Sequence, residues 1–228
     1  MDSFSIVVPI YNEEKILKKC IVTLYKKLSK EYRKFELLLV ENGSTDQTLQ
    51  IGRELCTKYP QLKLISLPFP SFGVAVREGI AKARFSIIVI YNADWWDVEF
   101  LKRAHKMLGK NTMVVGSKRL DTRKDKRPFI RKLGSFVLVL ILKKGFNYGG
   151  SDTHGIKMFR KNEIVPLLKQ CVTLEIIESE LLVRAKREGF TIKEIPVAIR
   201  EIRPPRIGFW YRSVKVIKEL VLLHNVLR

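Results

Sequence analysis

The sequence predicts an α/β fold, a mostly parallel sheet with helices on both faces. Three observations carry the prediction. Short, continuously apolar runs alternate with stretches of helical periodicity. The connections between them are short, and the polar punctuation falls directly after the runs, at what would be the carboxyl edge of a parallel sheet. The 228 residues, 46% of them hydrophobic, suffice for one large domain with a proper core and are too few for two comfortable ones.

The elements follow in order. Residues 4–10 (FSIVVPI) read as a buried strand ending in the polar turn Tyr11-Asn12-Glu13-Glu14. Apolar residues at Ile16, Leu17, Cys20, Leu24 and Leu28 have helical spacing. Residues 35–40 (FELLLV) form a second strand, stopped by Glu41-Asn42-Gly43-Ser44-Thr45-Asp46, where Thr45 or Asp46 can cap the helix running through Cys56. A third strand spans 62–67, a helix 74–83, and a fourth strand 85–91 (FSIIVIY), which ends in Asn92-Ala93-Asp94. A helix to Leu108, a strand at 112–116 and a basic stretch at 118–132 come next. The apolar run 133–142 (LGSFVLVLIL) is bracketed by Arg131-Lys132 and Lys143-Lys144. Residues 174–188 read as helix, 190–199 as strand, and 209–228 as a terminal apolar and basic helix. The expected organisation is therefore a domain at 1–208 followed by an amphipathic helix at 209–228.

The charge is unusual. Lys and Arg number 43 against 23 Asp and Glu, a net +20, and such a surface calls for a polyanion: nucleic acid, an anionic bilayer or a phosphorylated substrate. Nucleic acid is the weakest of these, because the basic residues are not interleaved with stacking aromatics and no recognised binding module is present. Cys20, Cys56 and Cys171 form no CxxC pair and read as buried thiols in a reducing compartment. No basic region precedes an apolar run at the N-terminus, and no stretch of about 18 apolar residues exists. A cytoplasmic, peripherally membrane-associated protein is expected.

In open α/β sheets ligands sit at the carboxyl ends of strands. Tyr11-Asn12-Glu13, Glu41-Asn42-Gly43-Ser44 and Asn92-Ala93-Asp94 collect there, and the basic cluster Lys118, Arg119, Arg123, Arg127 and Arg131 follows another strand end. Arg is well shaped to grip phosphate. The competing accounts are bland: a polar turn at 92–97 that caps the next helix, and a basic run that is a solvated face.

Six segments in order resemble the polyprenol-phosphate glycosyltransferases of glycosyltransferase family 2. They are residues 5–14 (SIVVPIYNEE), 36–48 (ELLLVENGSTDQT) and 73–80 (GVAVREGI), Asn92-Ala93-Asp94 in the place of an Asp-x-Asp metal motif, Gly116-Ser117-Lys118, and Asp152-Thr153-His154-Gly155-Ile156-Lys157. Glu180-Leu181-Leu182 and Glu194-Ile195-Pro196-Val197 are similar to later family elements. The resemblance implies a GT-A type fold and transfer of a sugar from a nucleotide-sugar (GDP-mannose or a UDP-sugar) to a polyprenyl phosphate. It implies catalytic roles for Asp94 and Arg131 and donor binding by Pro9, Tyr11, Asn12, Glu13, Glu41, Asn42, Arg77, Asn92, Ala93 and Lys118. Arg119, Arg127 and Asp152 would meet the acceptor phosphate. A divalent cation, Mg2+ or Mn2+, would sit on Asp94 with Asn92 or Asp97 and neutralise the diphosphate leaving group. A lipid phosphate is already ionised and needs no general base, whereas a hydroxyl acceptor would require one from Asp152 or Glu180.

The chain departs from the family at several points. Glu41-Asn42 stands for two acids, Asn92 for the first metal-motif acid, Trp96 for a metal-contacting side chain that Asp97 could replace, and His154 for a Ser. Phe72 and Val74 flank Gly73 where a Lys is usual. Three readings stay open: a divergent lipid-phosphate transferase, a transferase acting on a soluble or glycan hydroxyl, and a degenerate nucleotide-sugar binder. The run 133–142, about half a bilayer span, reads as a helix lying on anionic lipid, with a core helix as the alternative. The terminal helix, opening on Phe209-Trp210-Tyr211, reads the same way, with dimerisation as its alternative.

Overall fold

The computed structural model describes residues 3–121, 128–198 and 209–227, the last segment without the side chains of 209–212. Seven strands form one sheet in the order β3-β2-β1-β4-β6-β5-β7. They are β1 (Phe4–Ile10), β2 (Phe35–Asn42), β3 (Leu62–Leu67), β4 (Ile87–Ile90), β5 (Thr112–Ser117), β6 (Lys157–Arg160) and β7 (Thr191–Pro196). The β1–β2, β2–β3, β1–β4 and β5–β7 pairs are parallel, and β6 runs antiparallel to both its neighbours. The helices are α1 (Leu17–Glu31), α2 (Thr48–Lys58), α3 (Phe72–Lys82), α4 (Val98–Met107), α5 (Phe129–Phe146), α6 (Lys161–Gln170), α7 (Ile177–Arg187) and α8 (Phe209–Leu227).

Side chains alternate across a strand, and β1 shows the consequence. Phe4, Ile6, Val8 and Ile10 join one core with α1, α2 and α4, while Val7 joins the other with α3, α5, α6, α7 and α8. The strands read as continuous apolar runs because both faces are covered. Helix α3 comes close to the sheet at Gly79, where a Cβ would stand 2.3 Å from a Val7 methyl.

Several expectations shift. β6 and α6 were not legible, since a four-residue strand and a helix with Pro166 inside leave little periodicity to read. β4 is shorter than residues 85–91 because side chains take the amides at its start: Arg84 donates to Glu36 and Phe85 to Ser5 Oγ. Of the cysteines only Cys171 is buried; Cys20 and Cys56 are half-buried, and all three are free thiols. The N-cap of α2 is Gln47, which makes no side-chain cap bond; Asp46, expected as the cap, stands one residue ahead and accepts from the Thr48 amide at 2.9 Å.

Helix α5 is longer than the apolar run and lies with one face on the core. Val139, Leu142 and Phe146 are buried, while Phe129, Leu133, Phe136, Val137, Leu140 and Ile141 are exposed on the outer side. Helix α8 packs Leu220 and Leu223 into the same core and leaves Val214, Ile217 and Val221 outside. Among the described residues no helix is long and apolar enough to cross a membrane. The expected boundary at residue 208 lies outside the described residues.

Candidate active site

The order of the sheet reverses at β1: β2 and β3 continue on one side and β4 lies on the other. A crevice opens beyond the carboxyl ends at such a point. Pro9 stands in β1 past Val7, the last residue of that strand registered with β4, so its missing N–H costs no ladder bond. The loops after β1 and β2 are laced together. Asn12, in the left-handed region at φ 50°, donates its amide to Ser44 Oγ at 3.0 Å and accepts from the Thr45 amide at 2.9 Å. Asn tolerates this backbone better than most side chains. The Glu13 amide donates to Thr48 Oγ1 at 2.6 Å, and the Glu13 side chain is buried. Glu41 accepts from the Ser44 amide and from Ser66 Oγ, and Asn42 accepts from the Ser71 amide at 2.7 Å. Gly43 has φ 67°, and a Cβ there would meet the Phe69 carbonyl carbon at 2.8 Å. The loop before α3 is thus pressed onto the β2 loop.

After β4 the chain turns at 92–95, with paired backbone bonds between Asn92 and Trp95. Asp94 is half-buried in this turn. Asp97 is the N-cap of α4: its Oδ1 accepts from the amides of Glu99 and Phe100 at 2.9 and 3.3 Å. Capping the helix thus commits one oxygen of the carboxylate that the sequence offers as a metal ligand. Trp96 packs towards α1, with the Lys27 ammonium 5.3 Å from its ring centre. Trp95 is buried and donates its indole N–H to the Ala198 carbonyl at 2.9 Å.

The third part lies at the end of β5. Gly116 and Gly155 bring two backbones into contact: the Gly116 amide donates to the Ile156 carbonyl at 2.7 Å, and a Cβ on Gly155 would lie 1.9 Å from the Gly116 oxygen. Lys118 and Asp152 consequently meet. Lys118 is 3% exposed; its Nζ lies 3.2 Å from Asp152 Oδ2, 3.1 Å from the His154 carbonyl and 5.3 Å from the Trp95 ring centre. Burial pushes the Asp152 carboxyl up, but Lys118, the His154 amide and the nearby charges outweigh it and hold the group at about 2. Glu194 of β7 fixes the same loop by accepting from the Ser151 amide, Ser151 Oγ and the Asp152 amide. Arg119 donates to the Ser151 carbonyl at 3.2 Å and lies over the Phe136 ring of α5, 5.2 Å from its centre. Arg131 is half-buried in the first turn of α5, on the helix face of Leu138 and Leu142 and away from the outer apolar side.

Some expected residues are placed elsewhere. Arg77 donates to the Cys171 carbonyl, between α3 and the loop after α6. Glu180 is fully buried and holds the amides of Val172 and Thr173, Thr173 Oγ1 and the Arg184 guanidinium. With its lone pairs committed and no solvent access, it cannot serve as the general base that a hydroxyl acceptor needs; Asp152, paired with Lys118, is equally ill suited. Arg123 and Arg127 lie outside the described residues. Glu194, in a segment similar to the family, and Trp95, whose indole closes over Lys118, take part in this site although neither stands among the sequence candidates.

Among the described residues no group of three or more His, Cys, Asp or Glu could hold a metal ion. A site built on Asp94 alone still fits a cation that arrives with a diphosphate, since Mg2+ is commonly held by one or two carboxylates together with substrate phosphates and water.

Comparison with known proteins agrees with this architecture. The chain is 33% identical over 216 residues to dolichyl-phosphate beta-glucosyltransferase ALG5D of Trichomonas vaginalis, covering 87% of this chain and 66% of that protein. It is 26% identical over 246 residues to the dolichyl-phosphate beta-glucosyltransferase of Saccharomyces cerevisiae, covering 96% and 73%. The chain thus spans just under two thirds of the Trichomonas relative. Among solved structures, glucosyl-3-phosphoglycerate synthase from Mycobacterium tuberculosis with UDP superposes with a TM-score of 0.70 at 18% identity, covering 98% and 80% of the two chains. Mannosyltransferase PcManGT from Pyrobaculum calidifontis with GDP-Man and Mn2+ gives 0.69 at 20%, covering 96% and 62%. These two share the fold. Residues 5–164, which carry β1 to β6 and every loop of the crevice, match glycosyl transferase family 2, and the chain belongs to that family.

Proposed function

We propose that this chain transfers a sugar from a nucleotide-sugar to a polyprenyl phosphate of the dolichyl type, with a divalent cation, at an anionic membrane surface. One observation carries the choice of acceptor. Arg119, at the basic end of β5, lies against Phe136 at the edge of the outer apolar face of α5. An anionic head beside an apolar surface is the chemistry of a lipid phosphate. The names of the Trichomonas and yeast relatives support the same acceptor. The commitment of Asp152 and Glu180 to other partners weighs against a hydroxyl acceptor.

In this reading the laced loops of β1 and β2, with Tyr11, Asn12, Glu13, Glu41 and Asn42, hold the base and ribose. Asp94 in the 92–95 turn faces the diphosphate, and a bound cation supplies charge neutralisation of the leaving group there. Arg119 and Arg131 draw the acceptor phosphate towards a donor of the same charge. Lys118, caged by Asp152 and Trp95, stiffens the end of β5. An acceptor phosphate oxygen forms a bond to the anomeric carbon while the sugar–diphosphate bond breaks on the opposite face, so the anomeric configuration inverts. The acceptor phosphate is already ionised and no proton has to be removed; positioning and charge complementarity lower the barrier. The membrane side of the proposal rests on α5, whose outer face is apolar and whose ends carry Lys132, Lys143 and Lys144, and on α8.

The test is a transfer assay with UDP-glucose or GDP-mannose and a polyprenyl phosphate in micelles, with Mn2+ or with a chelator. A lipid-linked sugar formed only with the cation is expected. Cation-dependent transfer to soluble acceptors alone would move the hydroxyl reading ahead.

A further inference from the structure

We infer that Glu219 of the terminal helix α8 is a positioning residue for the nucleotide-sugar, acting through residues 174–176 on the start of α3. The inference rests on the reading above that the loops of β1 and β2 hold the donor.

The Glu219 carboxylate accepts from three successive amides, those of Leu174, Glu175 and Ile176, at 2.9, 2.8 and 2.9 Å. The two preceding amides, Val172 and Thr173, are held by Glu180 of α7. Five consecutive amides of one connecting segment are therefore held by two glutamates on two helices. Capping alone explains part of this, because the amides at the start of α7 lack helical partners and a carboxylate suits that end of the dipole. It does not explain what lies on the segment's far side. A Cβ on Gly73 would stand 2.7 Å from the Leu174 Cα and 2.8 Å from its carbonyl oxygen, so α3 and this segment touch backbone to backbone. Arg77 of α3 donates to the Cys171 carbonyl and holds the same contact.

From Gly73 the path to the donor loops is short. Ser71, the N-cap of α3, donates its amide to Asn42 at 2.7 Å, and the Phe69 backbone lies against Gly43. The loop of Gly43 is laced to Asn12 through Ser44 and Thr45. The Gly73–Leu174 and Gly43–Phe69 approaches are backbone against backbone, and the remaining links run through the short side chains of Asn42, Ser44 and Asn12. The position of 174–176 therefore sets the position of the α3 start and of Asn42. The diphosphate side is carried by other elements, β4, β5 and α5. Loss of Glu219 should accordingly weaken donor binding without altering the chemical step, the signature of lost uniform binding in ground and transition state alike.

The experiment is steady-state kinetics of the full chain with its nucleotide-sugar at saturating acceptor, well below the melting temperature. Glu219→Ala is expected to raise KM for the nucleotide-sugar about fivefold with kcat within about twofold, in the range of measured couplings between sites. Glu219→Gln, which keeps one acceptor oxygen, should fall between it and the wild type and serves if the alanine variant does not fold. Lys215→Ala, which removes a solvent-exposed tie from α8 to this segment (Lys215 Nζ to Glu175, 3.3 Å), should leave KM unchanged. Gly73→Ala perturbs the same path from the other end, and the double variant should be non-additive with Glu219→Ala. An unchanged KM in folded Glu219→Ala and Glu219→Gln, a loss confined to kcat, or additive effects would each overturn the inference. A wild type that turns over no nucleotide-sugar and binds none overturns the donor reading itself, and the inference with it.

Discussion

Asp152→Asn is the most informative single perturbation of the β5 end. Asp152 Oδ2 accepts from the Lys118 ammonium and the Lys118 amide, both at 3.2 Å, and Oδ1 accepts from the His154 amide at 3.1 Å. Asparagine keeps one acceptor oxygen and turns an NH2 group towards existing donors. Lys118 is 3% exposed, so its charge would remain buried beside the Trp95 ring and one carbonyl. Removing one partner of a buried pair costs about 3–5 kcal/mol, a large share of a total stability of about 5–15 kcal/mol. For a chain of this size each kcal/mol moves Tm by about 2–4 °C, so a fall of roughly 10 °C is expected in calorimetry or thermal circular dichroism. Pairing the change with Lys118→Met removes the buried charge and should recover much of the loss. A drop of less than about 2 °C in the single variant would refute the reasoning, since it would mean that water reaches the pair. The same pair sets a pH dependence. Asp152 is held at about 2 against an ordinary Asp value of 3.8. Its contribution is therefore complete above about pH 4 and is lost as pH falls towards 2, whereas in Asp152→Asn that acid limb should flatten.

Gly155→Ala places a methyl 1.9 Å from the Gly116 oxygen, which backbone cannot yield; urea titration should show a loss of several kcal/mol, and a change under about 1 kcal/mol would contradict the contact. Asp94→Ala should abolish transfer while leaving the chain folded, and Asp97→Ala should cost about 1 kcal/mol of stability through the lost α4 cap and spare the metal dependence. The protein should pellet with anionic vesicles and less so as salt rises, with each nearby Lys or Arg adding about 1 kcal/mol. Val137→Asp with Leu140→Asp, both on the exposed side of α5, should release it without unfolding, whereas Leu142→Asp, fully buried, should unfold it.

The sequence by itself determined the α/β class, the strand ends at which the candidate site gathers, and the amphipathic character of α5 and α8. These are legible because burial on both faces leaves unbroken apolar runs and because strand-end turns need Asn, Asp and Gly at local positions. Only the tertiary structure decided which polar residues were committed. Asp152 and Glu180 both read as candidate bases; Asp152 is consumed by Lys118, which the fold brings to it, and Glu180 by the amides of Val172 and Thr173 and by Arg184 one turn on in α7. Lys118 reads as a phosphate ligand in a basic run, but two glycines 39 residues apart let it close on Asp152. β6 escaped notice because a strand of four residues has no periodicity to display, and its antiparallel place between β4 and β5 is a property of pairing across the sheet. Local composition encodes which elements form; a long-range partner such as Lys118 for Asp152 depends on distances that no spacing along the chain contains.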